Sequence, residues 1–302
     1  MSLSLASILA EAALRYPAKT ALVAGPEQVS YGRLWEQTRR YAAALRGFGM
    51  GRGDRVALMI PNVPNFPRAY FAVAALGAVV VPIHALLTSE EIAYVLRDSG
   101  AKMLACAGSL LEEGAKGGEL AGIPVLTLSG APDSNLPALD ELAAALDPIE
   151  NHEPREPDEN AVILYTSGTT GKPKGAILTQ LNLVMNASVS AYDVLGLLHG
   201  DVILGSLPLF HAFGQTCAMN AGFRVGATLV LLPRFDPQHA LETVVDERVN
   251  VFMGVPTMYV GLLEAAKKDA RRPKLRLAVS GGASLPMTVL EQFEEIFGSP
   301  IY

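Results

Sequence analysis

The stretch Ala161–Thr179 reads AVILYTSGTTGKPKGAILT, two short apolar runs on either side of a polar loop. Within the loop, Tyr165 to Gly175, stand four hydroxyl residues (Thr166, Ser167, Thr169, Thr170), three glycines and two lysines. Glycines free the backbone, and lysines attract phosphate. A Walker loop follows G-x-x-x-x-G-K-[ST] and opens a helix at its lysine. Here only two residues separate Gly168 from Gly171, and Pro173 occupies the Ser/Thr place. A helix does not run easily through Pro-Lys-Gly. The spacing therefore predicts strand, loop, strand: a phosphate loop carried on a hairpin, with Gly168 and Gly171 turning backbone N–H groups inward as an anion nest. Thr166, Ser167, Thr169 and Thr170 supply hydroxyls, and Lys172 and Lys174 neutralise charge. A hydroxyl such as that of Thr166 can also reach a magnesium ion. A polar, flexible hairpin tip would not need lysines beside a hydroxyl cluster.

Outward from the loop, strands alternate with helices. RVALMI (55–60), AVVVP (78–82) and KMLACAG (102–108) read as strands. Helices are expected over 65–76, stopped by Gly77, and after Thr88 or Ser89 as N-cap, stopped by Gly100. After a surface connection around a short helix at 139–146, AVILY is an interior strand. QLNLVMNASVSAYDVL (180–195) reads as helix. DVILGSLPLFH, ATLVLLP, VNVFMG and LRLAVS read as further strands, with helices over 237–247 and 286–297, the second capped by Ser284 and stopped by Gly298. The fold class is α/β, with mostly parallel sheets covered by helices. The chain closes on PIY, the expected opening of one more strand, and so is expected to be a truncated domain.

Composition narrows the field. The chain has 302 residues, half of them hydrophobic, and a net charge of −6. No uninterrupted run of Lys or Arg reaches the length of a basic patch and the net charge is negative, so nucleic acid is not an expected partner. Cys106 and Cys217 belong to no C-x-x-C pair, which argues against a zinc site or disulfide scaffold and fits a reducing, cytoplasmic setting. MSLSLASILAEAALRYP lacks a basic leader region and reads as an amphipathic helix. The stretch 71–87 is interrupted by Gly77, Pro82 and His84, so no transmembrane segment is expected. Peripheral membrane contact and oligomeric state stay open.

Tyr165–Gly175 resembles the phosphate loop of the adenylate-forming superfamily, [YF]-T-S-G-[ST]-T-G-x-P-K-G, at every position. VSYGRLWEQ…RVALMIPN, ALGAVVVPIHALLTSEEI, LPLFHAFG, GVPTMY and AVSGGASLP resemble further motifs of that superfamily in order. The resemblance covers essentially the whole chain, looks most like the N-terminal domain of long-chain fatty-acid–CoA ligases, and implies a two-step reaction. A carboxylate attacks the α-phosphate of Mg-ATP, giving an acyl-adenylate and pyrophosphate, and the thiol of CoA then takes the acyl group. It implies catalytic and magnesium roles for Thr166, a fixed role for Lys174, and ATP contacts for Ser167, Gly168, Thr169, Thr170, Gly171 and Lys172. Gly281, Gly282, Ala283 and Ser284 would border adenine, while Phe210, His211, Phe213, Val255, Thr257 and Met258 would line the acid pocket. Read without the family, His211 is an ordinary core-edge histidine. FHAFGQT contains no acid to pair an amino group, so a plain carboxylic acid, fatty or aromatic, is expected over an amino acid. The resemblance also implies two sheet-bearing subdomains, 46–190 and 1–45 plus 195–302, with the site at their shared face. Groups the superfamily carries further on are absent, so the fragment alone is expected to be nearly inactive. An aryl-acid–CoA ligase and a non-catalytic nucleotide-binding module remain as alternatives.

Overall fold

The computed structural model describes residues 3–128, 131, 134–166, 172–269, 271 and 273–302. From the N-terminus, α1 (Ser7–Arg15) leads into β1 (Thr20–Ala24), β2 (Glu27–Ser30) and α2 (Tyr31–Gly47). There follow β3 (Arg55–Met59), α3 (Asn65–Ala75), β4 (Val79–Pro82), α4 (Ser89–Ser99), β5 (Met103–Ala107), α5 (Leu111–Ala121) and β6 (Val125–Leu128). After α6 (Leu139–Ala144) come β7 (Asn160–Thr166), β8 (Lys174–Thr179) and α7 (Gln180–Ser188). The remainder is β9 (Val202–Gly205), α8 (Ala221–Val225), β10 (Thr228–Leu231), α9 (Pro237–Asp246), β11 (Val251–Gly254), α10 (Pro256–Lys268), β12 (Leu277–Ser280) and α11 (Met287–Phe297).

The strands divide between two mixed six-stranded sheets, ordered β6-β5-β3-β4-β7-β8 and β12-β11-β9-β10-β1-β2. Only β7–β8 and β1–β2 are antiparallel pairs. Strand parity sorts the side chains. In the first sheet Val56, Leu58, Val80, Val162 and Leu164 join the large core between the sheets, while Ala57, Val79, Val81 and Ile163 face out under α4 and α5. In the second, Ile203, Val251 and Met253 point to that shared core, and Leu204 and Phe252 point out under α9, α10 and α11. This two-residue alternation explains why the strands read as continuous apolar runs: both faces are covered.

The expected helix ends are formed as their chemistry demands. Thr88 caps α4 in a reciprocal capping box with Glu91, and Gly100 ends it in the left-handed region at φ 63°. Gly298 ends α11 likewise. Two readings need correction. Ser284 caps nothing: α11 begins after Pro286 without a side-chain cap, since proline at that point already fixes the entry angle. The helix expected over 180–195 is α-helical only to Ser188 and then widens into a π-helical stretch, Val189–Val194. Near Tyr302 the chain makes a single parallel bridge, Ile301 to Ala278 of β12, without forming a named strand. Among the described residues no helix is long and apolar enough to cross a membrane.

Candidate active site

In open α/β sheets, ligands settle outside the carboxyl ends of strands where the strand order reverses. The first sheet reverses between β3 and β4, and the second beside β9. Every segment of interest leaves one of these ends or a neighbouring one.

The hairpin is the first component. β7 pairs antiparallel with β8, Tyr165 opposite Gly175 and Thr166 opposite Lys174. Directly opposed residues share a face. Thr166 has the parity of Val162 and Leu164, so Thr166 and Lys174 lie on the face turned towards the second sheet; both are exposed. Tyr165 has the opposite parity. Its hydroxyl donates to Asp98 Oδ2 on α4 at 2.7 Å, and its ring covers Gly175, where an added Cβ would come within 3.1 Å. Burial, with Asp98 beside it, raises the Tyr165 phenol above its ordinary range, so it stays a donor. The other stem is tied to the same helix, because the Tyr94 hydroxyl donates to the Pro173 carbonyl at 3.1 Å. The Lys172 ammonium lies 6.0 Å from the Tyr94 ring centroid, a cation–π distance, so it sits towards α4. Ser167, Gly168, Thr169, Thr170 and Gly171, all expected to hold phosphate, lie outside the described residues.

The second component is the chain after β9. Asn62, which follows β3 and is nearly fully buried, spans the two sheets. Its Nδ2 donates to the carbonyls of Gly205 (3.0 Å) and Leu207 (2.8 Å), and its Oδ1 accepts from Leu209 N–H (2.9 Å). The segment so held delivers Phe210, His211 and Phe213. Gly214 then lets the chain double back, since a Cβ there would sit 2.4 Å from the Pro208 carbonyl oxygen. A π-helical stretch, Gly214–Asn220, follows. The Phe210 ring packs on His84 with centroids 4.7 Å apart.

The third component is formed by β11 and β12. Phe213 lies against Gly281, where a Cβ would approach Cε1 to 2.8 Å. Gly281 N–H donates to the Gly254 carbonyl at 3.1 Å. Gly282, at φ +85°, faces Val255, and Gly254 faces Met258 on the first turn of α10. The fold thus brings Phe213, Val255, Met258, Gly281 and Gly282 into one apolar, glycine-floored group. Thr257, Gly282, Ala283 and Ser284 are exposed beside it. Among the described residues no cluster of three or more His, Cys, Asp or Glu could hold a metal ion.

Residues 9–302 match the profile of AMP-binding enzymes. The chain belongs to the AMP-binding enzyme family. Relatives in this family include a long-chain-fatty-acid–CoA ligase of Bacillus subtilis, 29% identical over 99% of this chain and 58% of its own. A 3-hydroxybenzoate–CoA ligase of Aromatoleum is 32% identical over 93% of this chain and 54% of its own. A benzoate CoA ligase of Burkholderia xenovorans superposes with a TM-score of 0.91 at 30% identity, covering 99% of this chain and 60% of that one. The chain therefore spans a little over half the length of the curated relatives it matches. Asn62, His84, Tyr94 and Asp98 did not emerge from the sequence as site residues. Asn62 closes RVALMIPN and His84 lies within ALGAVVVPIHALLTSEEI, so both sat inside motif stretches without being marked, while Tyr94 and Asp98 carried only the signal of a helix expected after Thr88 or Ser89.

Proposed function

We propose that this chain carries the ATP- and acid-binding portion of an acid–CoA ligase. In this reading an ionised carboxylate attacks the α-phosphate of Mg-ATP. The new C–O–P bond forms as pyrophosphate leaves, and CoA later displaces AMP. The carrying observation is the placement of Thr166 and Lys174 on one face of a hairpin, turned towards the sheet that holds Phe213 against Gly281. In this reading the phosphate-binding hairpin would work together with that apolar group, since such chemistry rests on positioning and charge neutralisation. The hairpin tip, Ser167 to Gly171, would hold the leaving phosphates, with Lys174 as the fixed cation and Thr166 at the metal. Gly281 to Ser284 would border the adenine. His211 would contact the substrate without acting as a base, because a carboxylate is already ionised at neutral pH.

The lining of Phe213, Val255 and Met258, with no acidic side chain from Phe210 to Thr216, supports a hydrophobic carboxylic acid, and we favour a long-chain fatty acid. The second reading is an aryl acid. The close approach of the Phe213 ring to Gly281 favours it, as do relatives that are benzoate and hydroxybenzoate ligases. Binding is the direct test. The chain is titrated with dodecanoyl- and benzoyl-sulfamoyladenosine, which mimic the two adenylates. Tighter binding of the dodecanoyl compound supports the fatty reading, and the reverse order supports the aryl one. Absence of binding by both refutes the ligase reading. By itself the chain is expected to release almost no pyrophosphate from ATP and acid, and robust release would overturn that part.

A further inference from the structure

His84 and His211 carry the same local device on different sheets. His84 follows β4, and its Nδ1 accepts the Leu86 N–H at 3.1 Å. His211 follows β9, and its Nδ1 accepts the Phe213 N–H at 3.3 Å. In each case a backbone donor two residues on occupies Nδ1. The proton of the neutral ring is thereby forced onto Nε2. Both rings are exposed, and among the described residues no acceptor bonds either Nε2. The Phe210 ring, 4.7 Å from that of His84, lies one residue before His211 and joins the two turns.

β4 and β7 are parallel neighbours through Val80 and Val162, so His84, just past β4, and Thr166, at the end of β7, both lie at the carboxyl ends of adjacent strands. His84 is thus near the strand ends that carry the phosphate hairpin and beside the Phe210 ring that precedes His211.

We propose that His84 joins His211 as a pair of Nε2–H donors for the carboxylate of the acid, one from each sheet. This rests on the ligase reading above. His84 is a binding residue and not a base. The groups acting on the His84 charge are His211, which opposes its protonation, and Glu91, which favours it. Burial is the largest influence and lowers its proton affinity. Glu91 is engaged elsewhere, its carboxylate accepting from Thr88 N–H at 2.9 Å and Thr88 Oγ1 at 3.0 Å. A bound carboxylate would therefore be the first anion at hydrogen-bond distance from the His84 Nε2, and its arrival favours proton uptake by His84.

Two variants separate the donor from the charge. His84→Asn keeps an acceptor for Leu86 N–H but loses the distal donor. His84→Gln keeps a distal N–H but cannot titrate. The full chain, loaded with α,β-methylene-ATP, is titrated calorimetrically with dodecanoate and with benzoate in two buffers of different ionisation heat. Wild type is expected to take up protons as acid binds, and to bind acid more tightly as pH falls from 8 to about 6. His84→Asn should bind acid roughly tenfold more weakly, the size of one lost hydrogen bond to a charged group. His84→Gln should regain most of that affinity while taking up fewer protons. Affinity for the ATP analogue should be unchanged in both. Acid affinity and proton uptake in His84→Asn equal to wild type would overturn the pair alone, as would an equal loss of ATP-analogue binding, which marks a merely structural role. A wild-type chain that binds the ATP analogue and neither acid would remove the ligase reading together with the pair.

Discussion

Replacing Asn62 with alanine should damage both stability and the acid site, and the size of the effect can be worked from its contacts. The side chain makes three hydrogen bonds to backbone groups of the chain after β9, at 2.8 to 3.0 Å. Asn62 itself is 4% exposed, and Leu207 and Leu209 are equally buried, so water does not replace the lost partners. Each net bond is worth about 1 kcal/mol, and a buried group left unsatisfied costs about 1–3 kcal/mol. Allowing partial relaxation, Asn62→Ala should lower the unfolding free energy by about 3 kcal/mol. Asn62→Asp keeps the acceptor for Leu209 N–H but turns a carboxylate towards two carbonyls, and should cost at least as much. Equilibrium urea unfolding, read as midpoint and slope, measures both. The same variants should weaken binding of acyl-sulfamoyladenosine, because Phe210 to Phe213 lose their anchor. A loss below about 1 kcal/mol for Asn62→Ala, with unchanged binding, would refute the bridge as the element that holds this segment.

Three further outcomes follow from other contacts. Asp98→Ala combined with Tyr94→Phe unties the Tyr165 and Pro173 stems of the hairpin from α4; ATP-analogue affinity should fall several-fold, while the urea midpoint, governed by buried groups, should barely move. Gly281→Ala drives a methyl into Phe213, at 2.8 Å from Cε1, so binding of the acyl-adenylate analogue should weaken and be largely recovered by adding Phe213→Leu. Asp54 is held below the ordinary carboxylate range mainly by the Lys102 ammonium, with burial opposing and the Gly51 N–H assisting. Its contribution is therefore present above the unfolded value near 4 and lost as pH falls through the folded one, so the stability gap between wild type and Asp54→Asn should shrink from about pH 5 to pH 3.

What could be read from residue order was what local chemistry dictates. Pro173 and Gly175 forbid a helix, and the structure pairs Tyr165 with Gly175 in a hairpin. Thr88 and Gly100 bracket α4 because a hydroxyl cap and a residue free to adopt positive φ leave little choice. The hairpin of β1 and β2 escaped notice, because its membership in a sheet depends on β10, far along the chain. Asn62 and His84 are single residues whose meaning comes from groups on the opposite sheet, and no spacing announces them. The widening of α7 into π-helix likewise answers to packing and not to propensity. Of the expected site, Phe213, Val255, Met258, Gly281 and Gly282 are gathered, while Lys172 turns aside to Tyr94.

The pairing of β1 with β10, Leu22 against Leu229, has a consequence for how the molecule is made. The sheet of β3 to β8 is composed of consecutive segments and can assemble while synthesis is still under way. β1 precedes β3 to β8 in the chain, yet its parallel neighbour β10 follows all of them. Until then β1 has only β2 beside it, with one edge open. Loop closure over such a span is slow, and an open strand edge invites the wrong neighbour. The expected hazard during production is therefore self-association through residues 20–24, relieved only when β10 arrives.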